Sequence, residues 1–356
     1  LAQKVLAKGD TRASILMKEN RKQADLRMVD ESEWGAALQY FTGSKEHNIH
    51  LRTIAKNQGY KISEYGVFNI RNQKRIAGKT EDEIYDALGI QFVPPEMRED
   101  KGEVELAVEH KLPQLVDLKD IRGDLQMHSD WSDGLHTLDE IVAYVLKNFS
   151  YDYIAMTDHS KSSRVAGGMD EKGFLKQIRA IKELNERMDK DFLKAGAEVD
   201  ILGNGSLDLS DELLAQLDWV TASVHSGFTR DNTDRLIKAC ENPYVHCIGH
   251  PTGRIIGKRD PYKLRVSDIV RAAAKTGTAL EINAQPDRMD MNDNFAGEVR
   301  KGGAKIVIST DSHKLTDFDF MRLGVDIARR AWCTKENILN TRTWKEVKHF
   351  ISKKRK

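Results

Sequence analysis

Residues 123–134 read GDLQMHSDWSDG, a stretch that joins the end of a predicted strand to a polar loop. Apolar residues at Leu125 and Met127 are typical of a buried strand, whereas the Ser, Asp and Gly residues that follow indicate a turn. The loop carries His128 and Asp133, whose side-chain types bind metal ions in proteins. A single histidine beside a single aspartate more often forms a surface hydrogen bond, so the meaning of this stretch depends on the rest of the chain.

From residue 121 onwards, predicted strands alternate with predicted helices. We expect strands at 121–127, 153–157, 192–199, 219–224, 245–248, 278–282 and 305–309. This alternation predicts an α/β fold with a parallel sheet. Because there are about seven such units and no GxGxxG sequence, a closed or nearly closed barrel is favoured over a doubly wound sheet.

Residues that can bind metal follow six of these seven strands. They are His128 and Asp133, Asp158 and His159, Glu198 and Asp200, His225, His250, and Asp311 and His313. The carboxyl ends of barrel strands surround a single mouth, so these side chains are expected to converge. Imidazole and carboxylate groups without a thiolate indicate more than one Zn²⁺ or Mn²⁺ ion, an arrangement suited to phosphoester hydrolysis.

Two arginines follow ligand-bearing strands in loops that contain glycine. Arg164 lies in SSRVAGG and Arg254 lies in HPTGR. A guanidinium group binds phosphate through two parallel hydrogen bonds. We therefore expect Arg164 and Arg254 to hold the phosphate of a substrate.

The composition excludes several other classes of protein. The chain has 356 residues, of which 40% are hydrophobic and 31% are charged, as expected for a globular protein with two domains. No apolar run is long enough to span a membrane and no signal peptide is recognisable, so a cytoplasmic location without a membrane partner is expected. The three cysteines lack ligand spacing and are expected to be reduced thiols.

The N-terminal third has a different pattern. Short strands are predicted at 5–7, 13–17 and 24–29, helices at 32–41 and 45–57, a strand at 61–68 and a helix at 80–88. Pro94 and Pro95 indicate a boundary. The charged segment 96–120 has little apolar periodicity and is expected to be a linker.

The run from Gly123 to His313 resembles the polymerase-and-histidinol-phosphatase (PHP) domain, a distorted (βα)7 TIM-like barrel with three metal sites. The resemblance implies these metal ligands: Gln126, His128, Asp133, His159, Glu198, His225, His250, Asp311 and His313. One site would be shared by Gln126, His128, Glu198 and Asp311, a second by Glu198, His225 and His250, and a third by Asp133, His159 and His313. Gln126 stands where the family has histidine, so two to three Mn²⁺ or Zn²⁺ ions are expected.

The sequence YFTGS at residues 40–44, followed by Asn48 and Arg52, resembles the thumb motif of family X DNA polymerases. The resemblance implies that Tyr40, Phe41 and Gly43 contact the nucleotide sugar, that Asn48 contacts a base and that Arg52 contacts the template.

A second stretch, ADLR at residues 24–27, resembles the palm strand of the same family and implies that Asp25 is its third catalytic carboxylate. Polymerase activity would require Mg²⁺. No Asp-x-Asp pair precedes Asp25, so we expect the C-terminal part of such a polymerase, with an incomplete polymerase site.

These observations predict a partial α+β palm at 1–31, a thumb at 32–95, a linker at 96–120, a PHP domain at 121–342 and a basic tail at 343–356. The predicted function is a metal-dependent 3′-5′ exonuclease that processes DNA 3′ ends in repair. One alternative is a small-molecule phosphatase of the histidinol-phosphatase type. Another is a non-catalytic scaffold that metal ions stabilise.

Overall fold

A computed structural model describes residues 2–354, and the chain divides after Pro113 into two compact units. The division lies inside the segment 96–120. No helix within the described range is long and apolar enough to cross a membrane.

The N-terminal unit begins with a three-stranded antiparallel sheet. Its strands are β1 Ala2–Lys8, β2 Arg12–Met17 and β3 Gln23–Arg27, in the spatial order β1-β2-β3. The turns between the strands fall where polar residues and Gly9 interrupt the apolar pattern. The three strands predicted for this region are confirmed.

Two helices and a second small sheet follow. The elements are α1 Trp34–Thr42, α2 Lys45–Asn57, β4 Tyr60–Ser63, β5 Gly66–Asn69, β6 Arg75–Ala77 and α3 Glu81–Ala87. Ser44 begins α2, because its side chain accepts a hydrogen bond from the backbone N–H of His47. The single strand predicted at 61–68 is wrong, since a tight turn at Glu64 and Tyr65 makes this segment a hairpin.

The segment 96–120 differs from the expected loose linker. It contains the helix α4 Glu103–Val108, in which Val104 and Ala107 are fully buried. Its charged residues suggested a solvated segment, but the carboxylate of Glu103 is itself buried and accepts hydrogen bonds from the backbone N–H groups of Asp100 and Lys101. The charge therefore stabilises a local fold.

The C-terminal unit is built on seven parallel strands that lie in chain order. The strands are β7 Gly123–Asp124, β8 Tyr153–Met156, β9 Leu193–Asp200, β10 Trp219–Ser223, β11 Cys247–Ile248, β12 Ala279–Asn283 and β13 Ile306–Ser309. Helices that connect or follow them are α5 Leu138–Asn148, α6 Glu171–Met188, α7 Asp211–Leu214, α8 Thr233–Glu241, α9 Val266–Thr276, α10 Asp293–Gly302, α11 Met321–Arg330 and α12 Trp344–Lys354.

The sheet closes at the carboxyl ends of its first and last strands. The backbone N–H of Asp311 donates to the carbonyl of Gln126 over 3.0 Å, and the N–H of His128 donates to the carbonyl of Ser312 over 2.9 Å. Met127 and Ser312 are thus paired as in a parallel sheet. The predicted α/β fold with a distorted (βα)7 barrel is confirmed.

Apolar side chains fill the space between the strands and the outer helices. In α5, for example, Thr137 caps the helix and Ile141, Val142 and Val145 face the strands and are buried. Burying a side chain of this size contributes roughly 1.5–3 kcal/mol. This packing fixes the direction of each strand and the position of the loop that follows it.

The segment 343–356, expected to be a basic tail, forms a packed helix as far as residue 354. Val347 and Ile351 of α12 are buried in a cluster with Leu125, Tyr153 and Trp219 of the barrel. The expectation rested on the final basic residues, of which Arg355 and Lys356 lie outside the described residues. The segment packs against the barrel through the apolar face of α12, although many of its residues are basic.

Candidate metal centre

The carboxyl ends of the barrel strands bring the predicted histidines and carboxylates into one cluster. Three groups of side chains place their ligand atoms within 4.8 Å of one another. The groups are His128, Asp133, His159 and His313; His159, Glu198 and His225; and His128, Glu198 and Asp311. Residues from the loops after five strands therefore share one mouth.

Asp133 lies between two histidines of the first group. Its oxygens are 3.6 Å from Nε2 of His159 and 3.4 Å from Nε2 of His313, and Nδ1 of His128 is 3.7 Å away. Burial alone would raise the pKa of Asp133, but the neighbouring histidines hold the pKa below its ordinary value. Asp133 is therefore anionic at neutral pH.

Glu198 is the centre of the cluster. Its Oε2 lies 3.4 Å from Nε2 of His128 and 3.3 Å from Nδ1 of His159. Its Oε1 lies 3.4 Å from Nε2 of His225 and 2.9 Å from Nε2 of His250. Burial alone would raise the pKa of Glu198, but the adjacent histidines hold the pKa well below its ordinary value. A carboxylate with histidines on both oxygens is placed to bridge two ions.

Asp311 completes the third group from the last strand. Its Oδ1 is 3.0 Å from Nε2 of His128, and its Oδ2 accepts a hydrogen bond of 2.9 Å from Nδ2 of Asn283. The backbone of Asp311 has φ +51° and that of His250 has φ +24°. Few non-glycine residues adopt positive φ values, and such strain is concentrated at functional sites.

Gln126 is fully buried within the barrel. Neither Oε1 nor Nε2 of its amide has a hydrogen-bond partner among the described residues. Gly249 faces this amide, since a Cβ atom on Gly249 would lie 3.4 Å from Oε1. An unpaired buried amide is costly, so this position suits an additional ligand.

Asp200, which the sequence placed among the residues able to bind metal, contacts one histidine of the cluster and lies outside the three ligand groups. Its Oδ1 lies 2.5 Å from Nδ1 of His225, and its Oδ2 accepts a hydrogen bond from Ser163 over 3.0 Å. Burial alone would lower the pKa of His225, but Glu198 and Asp200 raise the pKa to about 10. Metal binding at His225 must therefore displace a proton. Asp200 lies two residues after Glu198 and therefore on the same face of the strand, and this spacing is the feature of the sequence that places it near the cluster.

Asp158 has a structural role and is absent from the three ligand groups. Its carboxylate accepts hydrogen bonds from the N–H and hydroxyl of Ser129, from the hydroxyl of Ser132 and from Nε2 of Gln177. These bonds tie the loop after β7 to α6. Asp158 therefore fixes the loop that carries Asp133.

The arginines near the cluster differ from the prediction. Arg164 lines a cavity of about 450 Å³ at the ligand groups, and its contact with a phosphate stays a prediction. Arg254 instead donates to the backbone carbonyls of Arg288 and Met289, which leaves it to hold that loop. Arg288 lines the cavity, with Nε 3.6 Å from Oδ2 of Asp311. Its buried Nη1 has no hydrogen-bond partner among residues 2–354.

The donor set fits first-row divalent ions. Imidazole nitrogens and carboxylate oxygens suit Zn²⁺ and Mn²⁺, and the cysteines at 240, 247 and 333 are buried elsewhere. The buried Nδ1 atoms of His128 and His250 also have no hydrogen-bond partner in the described part of the chain. Several close carboxylates and unpaired imidazole nitrogens are the arrangement expected of a metal centre.

The polymerase-like residues lie in the N-terminal unit. Tyr40 and Arg52 line a cavity of about 590 Å³, and the ring of Phe41 is half exposed, with its centroid 5.2 Å from that of Tyr40. Asn48 is buried, and its amide accepts from Gln39 over 2.7 Å and donates to the carbonyl of Tyr40 over 2.8 Å. These two bonds use one of the two N–H groups and one lone pair of the oxygen, so they fix the orientation of the amide.

Gly43 and Asp25 occupy the remaining predicted positions of this unit. Gly43 ends α1 with φ +74°, a conformation that favours glycine. Asp25 accepts hydrogen bonds from the hydroxyl of Ser14 and from Nε2 of Gln23, and these bonds hold the pKa of Asp25 below its ordinary value. Asp25 is therefore anionic.

One family model matches part of the N-terminal unit. Residues 37–99 match the family described as DNA polymerase beta thumb. The DNA polymerase/3′-5′ exonuclease PolX of Bacillus subtilis (strain 168) is 39% identical over 353 residues, which are 98% of this chain and 61% of that protein. The chain thus spans about three fifths of the length of this relative.

Other similar proteins match somewhat more than half of the chain. A probable phosphatase of Thermoanaerobacter sp. (strain X514) is 30% identical over 216 residues, 57% of this chain and 83% of that protein. A solved histidinol phosphate phosphatase from Lactococcus lactis, in complex with zinc, L-histidinol and phosphate, is 18% identical. It covers 59% of this chain and 93% of its own, with a TM-score of 0.44.

Proposed function

This chain belongs to the family X DNA polymerases that carry a PHP domain, and we propose that its barrel is a metal-dependent 3′-5′ exonuclease acting on DNA 3′ ends. The observation that carries the proposal is the buried carboxylate of Glu198 between histidines on both of its oxygens. The name of the Bacillus subtilis relative supports DNA as the substrate.

The residues at the mouth of the barrel would have different roles in phosphodiester hydrolysis. Glu198 and Asp133 would hold Mn²⁺ or Zn²⁺ together with the surrounding histidines. When bound, such ions lower the pKa of a water molecule and offset the charge of the attacking and leaving oxygens. Arg288 and Arg164 would orient the phosphate, because both line the cavity and both carry a permanent positive charge.

The N-terminal unit would supply contacts to DNA. Tyr40, Phe41, Gly43, Asn48 and Arg52 are proposed to bind the nucleotide and the template, and Asp25 is proposed as a carboxylate of the polymerase site. Nucleotidyl transfer with two Mg²⁺ ions needs more than one carboxylate. We therefore expect polymerisation only when further carboxylates are supplied.

The decisive test is digestion of a DNA primer labelled at its 5′ end in the presence of Mn²⁺. Glu198→Gln should lower kcat at least about 100-fold, because it removes the shared anionic ligand. Glu183→Gln makes the same chemical change on the exposed face of α6 and should retain activity. Equal digestion by the wild type and the Glu198 variant would exclude the barrel as the nuclease.

The alternatives give different results in the same assay. The probable phosphatases that match the barrel favour a phosphatase acting on small molecules as the second candidate. Turnover of histidinol phosphate or a nucleoside monophosphate, without shortening of the primer, would support it. Fewer than two bound ions per chain and no hydrolysis of either substrate would support a metal-stabilised scaffold.

A further inference from the structure

A second cavity lies beside the metal centre. It has a volume of about 500 Å³ and shares Ser226 with the lining of the metal cavity. Ser226 directly follows His225, so the two cavities meet at the loop after β10. A substrate that extends from the metal centre past this loop would enter the second cavity.

The second cavity is lined by three basic side chains, Arg230, Arg235 and Lys238. Among residues 2–354, none of these three forms an ion pair, and Nζ of Lys238 donates to the carbonyl of Asn204 over 3.0 Å. Two carboxylates, Asp231 and Asp234, also line the cavity, and both contact the guanidinium of Arg265, at 3.4 Å and 2.6 Å. The lining thus has three basic side chains and two acidic ones. The cavity therefore has an excess of positive charge.

Arg235 is built into the wall of this cavity. Its side chain is 8% exposed, and its Nη1 donates to the carbonyl of Ser226 over 2.7 Å and to Oδ1 of Asn232 over 3.1 Å. Its Nε is buried and has no hydrogen-bond partner in the described chain. Its hydrogen bonds are all to neutral oxygens, and Asp200 acts on it only through space, without an ion-pair contact. The buried positive charge is therefore only partly compensated and would be stabilised by an anion bound nearby.

We propose that this cavity binds the phosphodiester on the 5′ side of the scissile one, in a polynucleotide strand whose 3′ end occupies the metal centre. The inference rests on the proposed exonuclease function and names the structural basis for its substrate class. A phosphate monoester places a single phosphate at the metal centre and leaves the second cavity empty. A strand of two or more linkages fills both cavities and gains the attraction of three basic groups.

The test compares two substrates with the wild type and with the double variant Arg230→Ala, Lys238→Ala. One substrate is a single-stranded oligonucleotide with a free 3′ end, and the other is thymidine 5′-(4-nitrophenyl phosphate), which has one phosphodiester. In the double variant, KM for the oligonucleotide should rise about tenfold or more and kcat for the oligonucleotide should stay unchanged. Both KM and kcat for the small diester should stay unchanged. Arg271→Ala with Lys275→Ala removes two exposed charges from α9 and should change neither substrate.

Salt dependence provides a second measurement. The slope of log(kcat/KM) against log[salt] becomes shallower by about 0.7 for each phosphate contact that is lost on a single strand. The double variant loses the contact to one phosphodiester, so its slope should be shallower by about 0.7. If the wild type digests the oligonucleotide and the double variant has the same KM and the same salt slope, the inference is overturned and the proposed exonuclease function is not. Equal losses on both substrates would show a structural role and also overturn it. A wild type that digests no DNA would instead overturn the proposed function.

Discussion

His225 shows how one supporting residue sets the properties of a ligand. Its Nδ1 is 2.5 Å from Asp200, which fixes the orientation of the ring and directs Nε2 towards Glu198. The carboxylate of Asp200 is held in turn by the hydroxyl of Ser163. A ligand fixed in this way loses little conformational entropy when an ion binds.

We predict that Asp200→Asn weakens metal binding about 10- to 100-fold while the barrel remains folded. The substitution removes the anion that orients His225 but keeps the shape of the side chain. Metal affinity can be measured by competition with a chromophoric chelator, with circular dichroism as the check on folding. Asp189→Asn, at the exposed end of α6, is the matched control, and equal affinities for both variants would contradict the role of Asp200.

Glu103 gives a pH-dependent prediction in the N-terminal unit. Burial would raise its pKa, but hydrogen bonds from His47 and from backbone N–H groups hold the pKa below its ordinary value. The unfolded chain therefore binds a proton at a higher pH than the folded chain. The stability contributed by Glu103 is present above about pH 4.3 to 4.5 and is lost as the pH falls through the folded pKa.

Glu103→Gln should destabilise the N-terminal unit by about 1–3 kcal/mol at pH 7 and should make its acid dependence shallower. Hydrogen exchange of α2 and α4 between pH 7 and pH 4 measures both effects. Glu109→Gln, an exposed residue paired with Lys111, should behave as the wild type does. If the Glu103 variant loses stability with falling pH as steeply as the wild type does, Glu103 does not cause the acid dependence.

The residues of the cluster could be proposed from the sequence because each one lies at the carboxyl end of a barrel strand or in the loop that follows it. The arginines could not be assigned in the same way. A guanidinium group reaches several ångströms from its backbone, and only the folded loops show that Arg254 turns to the carbonyls of Arg288 and Met289. Arg288 itself lies in a loop without a metal ligand, so no neighbouring residue in the sequence drew attention to it.

The helix α12 is a whole element that was not predicted correctly from the sequence. Trp344, Val347 and Ile351 recur at the spacing of one helix face, a pattern that predicts a buried helix. The basic residues at the end of the chain suggested a tail instead. Periodicity was the stronger signal, because long basic side chains can remain in water while an apolar face is buried.

We predict that Ile351→Ala lowers the free energy of unfolding of the barrel by about 2–4 kcal/mol. Ile351 packs into the cluster that contains Leu125, Tyr153 and Trp219, so its removal leaves a cavity there. Urea unfolding followed by tryptophan fluorescence measures the change. Lys348→Ala on the exposed face of α12 should have almost no effect, and equal stabilities of the two variants would show that α12 is dispensable.

The candidate metal ligands come from the ends of five barrel strands and the loops after them, all within the second of the two compact units. Ions that bind only the folded barrel stabilise it by mass action. Removal of metal by a chelator should therefore increase hydrogen exchange in the loops around residues 128–134, 158–168 and 311–314. Residues 2–113 should exchange at an unchanged rate. Equal increases in both units would contradict a metal centre confined to the barrel.

The pairing of the first and last strand ends has a consequence for the order of events during synthesis. The imidazole of His128 meets Asp311 across 183 residues of chain. Translation proceeds at about 5–20 residues per second, and the N-terminal parts of a chain fold first. The cluster is therefore incomplete in any nascent chain that does not yet include residue 313. Any nuclease activity of this mouth therefore begins only after residue 313 has been synthesised.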